Sequence, residues 1–262
     1  MSAWDAYYDR MDVRGYTRRE RALFQTRTRL TDELHASLSY HKVLINGKEH
    51  DAAIIGQEEL AIKKICLLPG DTLPHGGLVD YADNKWLITE VDASNEVYHS
   101  GMMQQCNHII RWIDRNGDLV EKWSIIEDGT KYLIGEKTSQ LMTIGDARIA
   151  MTVGKDEDTI YLCRGMRFLV DDVDAEDVLA YQITKVNKLF NNYNNEGVFR
   201  FILTEVNVTA DDNLLMRIAD FYNWKPEPEP IEPDRDETAT VEEIVQEALD
   251  QEPPSDDKEV WI

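Results

Sequence analysis

The pattern of apolar and polar positions changes period near residue 40. Before it, Leu23, Phe24, Leu30, Leu34 and Leu38 recur near helical spacing with no proline among them, and Thr17 with Glu20 has the form of a capping box. A helix from Arg18 to Leu38 is predicted, preceded by a shorter aromatic one over Ala3–Met11 and a break at Gly15. From His41 the period becomes two. His41–Ile45 and Ala52–Ile55 flank Asn46-Gly47, a dipeptide that readily takes the positive φ of a tight hairpin. Further strands are predicted at Leu60–Leu68, Lys85–Val91, Gln104–Ile113, Leu119–Ile126, Lys131–Ile134, Ala147–Val153, Thr159–Cys163, Arg167–Val170, Tyr181–Val186 and Val198–Val206. Asn116-Gly117 marks a second hairpin, in which Trp112 and Trp123 are available as cross-strand partners.

One strand pattern occurs twice. Trp86-Leu87-Ile88-Thr89-Glu90-Val91-Asp92 returns as Tyr181-Gln182-Ile183-Thr184-Lys185-Val186-Asn187, each copy preceded by an apolar-Val-Asp step, Leu78-Val79-Asp80 and Leu169-Val170-Asp171. The offset is 95 residues here and 93 between Ile109-Ile110 and Ile202-Leu203, a difference that loops absorb. The expected fold is mainly β: two tandem small β-barrel-like modules, an N-terminal α-helical arm and a disordered acidic C-terminal tail. The expected boundaries are a helical arm at 1–39, a first β module at 40–128, a second at 129–224, and a Pro/Glu-rich tail at 225–262.

Charge divides the chain further. The net charge is −22, yet Arg10–Arg29 carries seven arginines against Asp12 and Glu20, a local +5. The stretch 225–262 has 14 acidic residues against Lys225, Arg235 and Lys258, a local −11. Complementary patches of this kind steer and orient association. The acidic balance argues against nucleic-acid contact as a primary role, and the arginines read first as a solvated helix face. No apolar run approaches the length of a membrane span and the first thirty residues lack a signal-peptide core, so a cytoplasmic site of synthesis is expected.

Candidate chemistry is thin. Cys66, Cys106 and Cys163 are widely spaced among apolar neighbours and read as buried free thiols. Cys106 and His108 share a strand face but have no further ligand motif. Asp114, Asn116 and Asp118 superficially resemble a calcium loop, but their glycine is misplaced and strands flank them, so a hairpin explains them better. The acidic run Asp171–Asp177 is a candidate divalent-cation loop against a plainer solvated one. No nucleophile elbow, phosphate-cradling loop or zinc helix is present, and no catalytic residue, metal or cofactor is assigned.

In the tail, Pro226, Pro228, Pro230 and Pro233 favour an extended spacer. Val241, Ile244, Val245, Ala248 and Leu249 then form an apolar helical stripe, opened by a Thr240/Glu243 capping box. The chain ends on Val260-Trp261-Ile262. The residues singled out for interaction are Arg18, Arg19, Arg21, Arg27 and Arg29 in the arm, with Ile244, Leu249, Trp261 and Ile262 in the tail.

The order of these features, from the polar helical start through Leu78-Val79-Asp80 and the Trp86–Asp92 strand to Asn107-His108-Ile109-Ile110-Arg111-Trp112-Ile113 before a hairpin, resembles virion structural proteins of tailed bacteriophages of Gram-positive hosts. That resemblance is to components of the head-closure or head–tail connector type and spans about residues 40 to 222. It implies a structural, non-enzymatic role in a homo-oligomeric ring that joins portal, neck or tail subunits. The expected location is the virion, after assembly in the host cytoplasm. A tail- or capsid-associated virion protein, or a non-virion binding protein using its acidic tail, are the alternatives; an enzyme with an unfamiliar site ranks last.

Overall fold

The computed structural model describes residues 4, 7, 8, 15, 17–128, 148–170, 178–193 and 195–223. The strand expected at Lys131–Ile134, the acidic run Asp171–Asp177, most of the Ala3–Met11 segment and the whole tail lie outside the described residues. So do the tail residues Ile244, Leu249, Trp261 and Ile262.

Trp4, Tyr7 and Tyr8 are helical, and the described part of the arm from Thr17 onward forms the helix α1, Arg18–His35. Thr17 caps it: its hydroxyl accepts from the Glu20 N–H at 3.1 Å, and Glu20 accepts from the Thr17 N–H at 3.1 Å. The predicted extension to Leu38 does not form. Ala36 closes the helix, and Leu38 is fully exposed, with no apolar neighbour to hold another turn.

The first module is a closed six-stranded antiparallel barrel of β1 (Tyr40–Ile45), β2 (Lys48–Gly56), β3 (Ile62–Leu67), β4 (Leu78–Tyr81), β5 (Asn84–Asp92) and β6 (Ser100–Gln105). Around the barrel the order is β1-β2-β3-β6-β5-β4, and β4 closes on β1 through Leu44↔Asp80 and Ile45↔Val79. The β1–β2 turn is the expected Asn46-Gly47, at φ 48° and 78°. Alternate residues fill the interior, among them Val43, Ile45, Ile65, Leu67, Val79, Trp86, Ile88 and Met103.

The second module comprises β7 (His108–Ile113), β8 (Leu119–Asp128), β9 (Arg148–Gly154), β10 (Arg167–Leu169), β11 (Ala180–Asn187), β12 (Asn192–Tyr193) and β13 (Glu196–Val206). Its sheet runs β10-β11-β13-β9-β8-β7, with β12 paired to β13. The two ends face each other across a seam filled by side chains, where Trp112 of β7 meets Phe168 of β10 edge-to-face at 6.2 Å. Phe168, Phe199, Phe201, Met151 and Leu203 complete the core.

The two modules share one topology. In the sequence order of their six principal strands, β1 to β6 and β7 to β11 plus β13, the spatial order is identical. The repeated strands occupy equivalent places and carry the same irregularity: the β5 ladder slips at Thr89, between Ile88 and Glu90, and the β11 ladder at Thr184, between Ile183 and Lys185. Each threonine hydroxyl donates across the slip, Thr89 to the Met102 carbonyl and Thr184 to the Ile202 carbonyl. Bulges re-aim a strand at a defined position, so a shared bulge is a firmer sign of duplication than shared alternation.

Three expectations need correction. The module boundary falls at Cys106–Asn107 and not at 128/129, because β7 and β8 ladder onto β9 in the second sheet. The Ile109/Ile202 pairing of the halves is wrong for the same reason: β7 is the counterpart of β1, and β13 that of β6. Trp112 and Trp123 are not partners either. The register sets Trp112 against Val120 and Trp123 against Ile109, so the two rings project from opposite faces of the hairpin.

After β13 the chain folds back as a strap, 207–223, pinned by Arg167. Its guanidinium grips Asp212 with both nitrogens at 2.9 Å, Asp220 at 2.7 Å, and the Asn207 carbonyl at 2.9 Å. The strap anchors Ile218, fully buried, and leaves Leu215 at its tip 94% exposed.

Candidate functional site

Two regions of the described structure combine several polar or exposed side chains: the junction of the two modules, and the arm. The junction is built on an apolar floor of Leu87, Cys106, Ile125 and Val198, with Leu78 and Trp123 packed on it. Above it the backbones meet. Gly76 sits at φ 82°, where a Cβ would lie 1.9 Å from the Gly197 carbonyl oxygen; a Cβ on Gly154 would lie 2.3 Å from the Gly76 oxygen. Gly197 donates to the His75 carbonyl at 3.0 Å and accepts from the Lys155 N–H at 2.9 Å, while the His75 N–H donates to Glu196 at 3.0 Å. The three glycines let the modules approach main chain to main chain.

Beside this weld lies a cleft of about 530 Å³. Its charged groups are matched. Lys85 pairs with Asp80 at 2.5 Å, Lys122 with Asp156 and Asp158 at 2.7 Å each, and Lys155 donates to Asn192 and Asn195. The loop amides that would cradle a phosphate are spent internally: Gly76 donates to the Ile88 carbonyl and Gly77 to the Pro74 carbonyl. The His75 ring is also occupied, bonding the Thr89 carbonyl at 2.9 Å and stacking on Tyr193. The cleft is therefore a joint whose polar groups serve each other.

Other candidates resolve into structure. Cys106 is buried in the junction floor, and desolvation pushes its thiol up to about 12, far from nucleophilic range. Cys66 is also raised by burial, under α1. Cys163, expected to be buried, is exposed, because it lies in the turn after a 3₁₀ segment. Asp114 accepts from the Asn116 and Asp118 N–H groups at 2.9 and 2.8 Å, an Asx turn that closes the β7–β8 hairpin. Among the described residues no group of three His, Cys, Asp or Glu side chains is arranged to hold a metal ion. Among them, too, no helix is long and apolar enough to cross a membrane.

The arm is different. Of the 18 residues of α1 only Leu34 is buried, packed with Leu30 against Ala53 and Cys66 of the barrel. Its five arginines divide. Arg19 pairs with Glu96 at 2.5 Å, and Arg27 reaches the Glu96 main-chain carbonyl, so both tie α1 to the β5–β6 loop. Arg29 pairs along the helix with Glu33 at 2.6 Å. Arg18 and Arg21 stand exposed in the first turns, and Arg21 also reaches the Thr17 carbonyl at 3.4 Å. Phe24 is 38% exposed, and nearer the chain start Trp4, Tyr7 and Tyr8 are exposed and stacked edge-to-face in sequence.

Sequence reading located the arm but missed the junction, the Arg167 clamp and two exposed apolar tips. Those tips are Leu189, Phe190 and Tyr193 beyond β11, and Leu214, Leu215 and Met216 on the strap. Gly197 after an Asn-rich stretch and Gly154 at a strand end were the available signals for the junction. Neither reveals that two distant glycines meet.

Residues 17–105 match the family model described as the YomX N-terminal domain. The match begins at the α1 cap, Thr17, and ends at the last residue of β6, Gln105, which coincides with arm plus first barrel. That family is phage-derived, and the match supports a phage protein. No curated protein matches the chain. Among solved structures, MrkH of K. pneumonia in its apo state is 13% identical, covering 72% of this chain and 87% of that one at a TM-score of 0.24. A second MrkH structure, described as a c-di-GMP-dependent transcription regulatory factor, is 13% identical over 72% and 85% at a TM-score of 0.22. Likenesses at such scores carry no argument.

Proposed function

We propose that this chain is a virion structural protein that works by geometry and without catalysis, as a subunit of the head–tail connector that joins portal and tail components in a ring. The observation that carries the reading is the phage-derived family match over the arm and first barrel. Supporting it, the two modules are welded backbone to backbone, and the cleft between them has its charges and loop amides matched internally. Such a body transmits position. The surfaces offered outward, α1 and the tips at Leu189-Phe190 and Leu214-Leu215, carry the aromatic, arginine and large apolar side chains that anchor interfaces.

The test is native mass measurement of the purified chain together with electron microscopy of particles from the phage that encodes it. The reading expects a closed ring alone or on a portal, and density at the neck for one closed six-stranded barrel and one barrel-like sheet per subunit. A chain that stays monomeric on portal and tail proteins, and is missing from particles, overturns it.

A further inference from the structure

An 18-residue helix with one buried side chain is poorly supported by its own fold. Isolated helices of this length are marginal in water, and helices in proteins draw most of their stability from packing an apolar face. Among the described residues, the barrel supplies that packing only near the C-terminal end of α1, at Leu30 and Leu34. Its first three turns are held by Arg19 and Arg27 to one loop residue, Glu96, through solvent-exposed contacts of the kind worth little individually. The outward face carries Arg21, Phe24, Gln25, Thr28 and Arg29 and, toward its end, Asp32 and Glu33, with Arg29 paired to Glu33, so its cations and the exposed Phe24 ring gather toward the N-terminal side.

The remainder of the chain has the opposite charge. Residues 10–29 carry +5 of a net −22, leaving −27 elsewhere, and −11 of that falls within 225–262. The sequence there also contains the Val241, Ile244, Val245, Ala248, Leu249 stripe at helical spacing, an apolar partner for Phe24 flanked by Glu242, Glu243 and Glu247 for the arginines. We infer that α1 is a docking site for the acidic segment 225–262 of a second copy of this chain. Subunits then join arm to tail, a heterologous contact that repeats from copy to copy and closes a ring when the rotation permits. The inference deepens the assembly reading above and rests on it for its setting, but its chemistry is that of the arm and the acidic segment.

The experiment uses the full chain with a photoreactive amino acid replacing Gln25, in a mixture of ¹⁴N- and ¹⁵N-labelled protein, with mass spectrometry of the cross-linked peptides and native mass of the same sample. The expected result is mixed-isotope peptides joining position 25 to residues 225–262. Their yield should fall about tenfold in the double variant Arg18→Glu, Arg21→Glu and comparably at 1 M salt, where the screening length is about 3 Å. Circular dichroism and thermal melting of the double variant should match the parent, which separates lost docking from lost folding. Cross-links confined to one isotope, or reaching another surface of the second copy, overturn the inference. A multimer that forms without the 25-to-tail cross-link overturns it while leaving the assembly reading standing. A monomer without cross-links overturns it as well, and the particle experiment above then decides the assembly reading separately.

Discussion

Replacing Gly76 by alanine should cost far more than the same change at Gly47, although both glycines have nearly the same positive φ. Their φ values are 82° and 78°, so each alanine bears the same left-handed penalty of about 1–2 kcal/mol. The surroundings differ. At Gly47 nothing lies within 4 Å of the new methyl, whereas at Gly76 it would sit 1.9 Å from the Gly197 oxygen and 2.8 Å from its carbon. Those atoms are main chain and cannot rotate aside, so the modules must separate locally. Overpacking of this kind costs about 1–3 kcal/mol, and the Gly197-to-His75 hydrogen bond adds about 1 kcal/mol if it breaks. The difference between the variants should therefore be about 2–4 kcal/mol, or roughly 4–16 °C in melting temperature at about 2–4 °C per kcal/mol for a protein of this size. Gly154→Ala isolates the steric part, since its new methyl meets the Gly76 oxygen at 2.3 Å without a positive φ. Urea and thermal melts followed by tryptophan fluorescence measure all three. Equal losses at Gly47 and Gly76, within about 0.5 kcal/mol, would refute the backbone-to-backbone weld.

Other consequences follow from buried groups. Arg167→Met should destabilise the protein by about 3 kcal/mol, because it removes the charge partner of the buried Asp212 carboxylate and leaves it only the Thr209 and Asp220 N–H groups, and hydrogen exchange should quicken across 207–223. Burial pushes the Asp212 carboxyl up, but the N–H groups of Asp220 and Thr209 and the Arg167 fork outweigh it and hold it below its ordinary value. Its folded pKa is thus depressed. The stability it confers is present above the unfolded value near 4 and is lost as pH falls through the folded one, so the advantage of the parent over Arg167→Met should shrink in urea melts below about pH 4. At pH 8 a thiol reagent should label Cys163 quickly in the native protein, and Cys66 and Cys106 only after unfolding, since Cys106 is held near 12 and both are buried. Trp112→Ala should cost about 3–5 kcal/mol as a core deletion, and Trp123→Ala, at the half-buried junction, clearly less.

Much of this architecture was legible because strand patterning is local. The hairpin at Asn46-Gly47, the α1 capping box and the Trp86 and Tyr181 strands all follow from spacing within ten residues, and each formed where expected. The repeated Ile-Thr step had more content than alternation showed, since its threonine is the bulge residue in both modules. The boundary was misplaced because a hairpin announces itself but not its neighbours. Nothing in Ile109–Ser124 states that β8 will pair with β9. The junction depends on Gly76 meeting Gly197 from 121 positions away, and the clamp on Arg167 meeting Asp212 from 45. Such contacts are tertiary, and a single sequence does not encode them at any fixed spacing. The arm was visible as charge, yet that Arg19 and Arg27 both reach Glu96 required the barrel to be placed.

The central claim is that this chain is a structural subunit of a phage particle, and the most direct measurement is quantitative mass spectrometry of particles purified from the lysate of the phage that encodes it. The account predicts this chain at a fixed copy number per particle, retained through density-gradient purification, in constant ratio to the portal protein. A chain absent from particles and found only free in the lysate would contradict it.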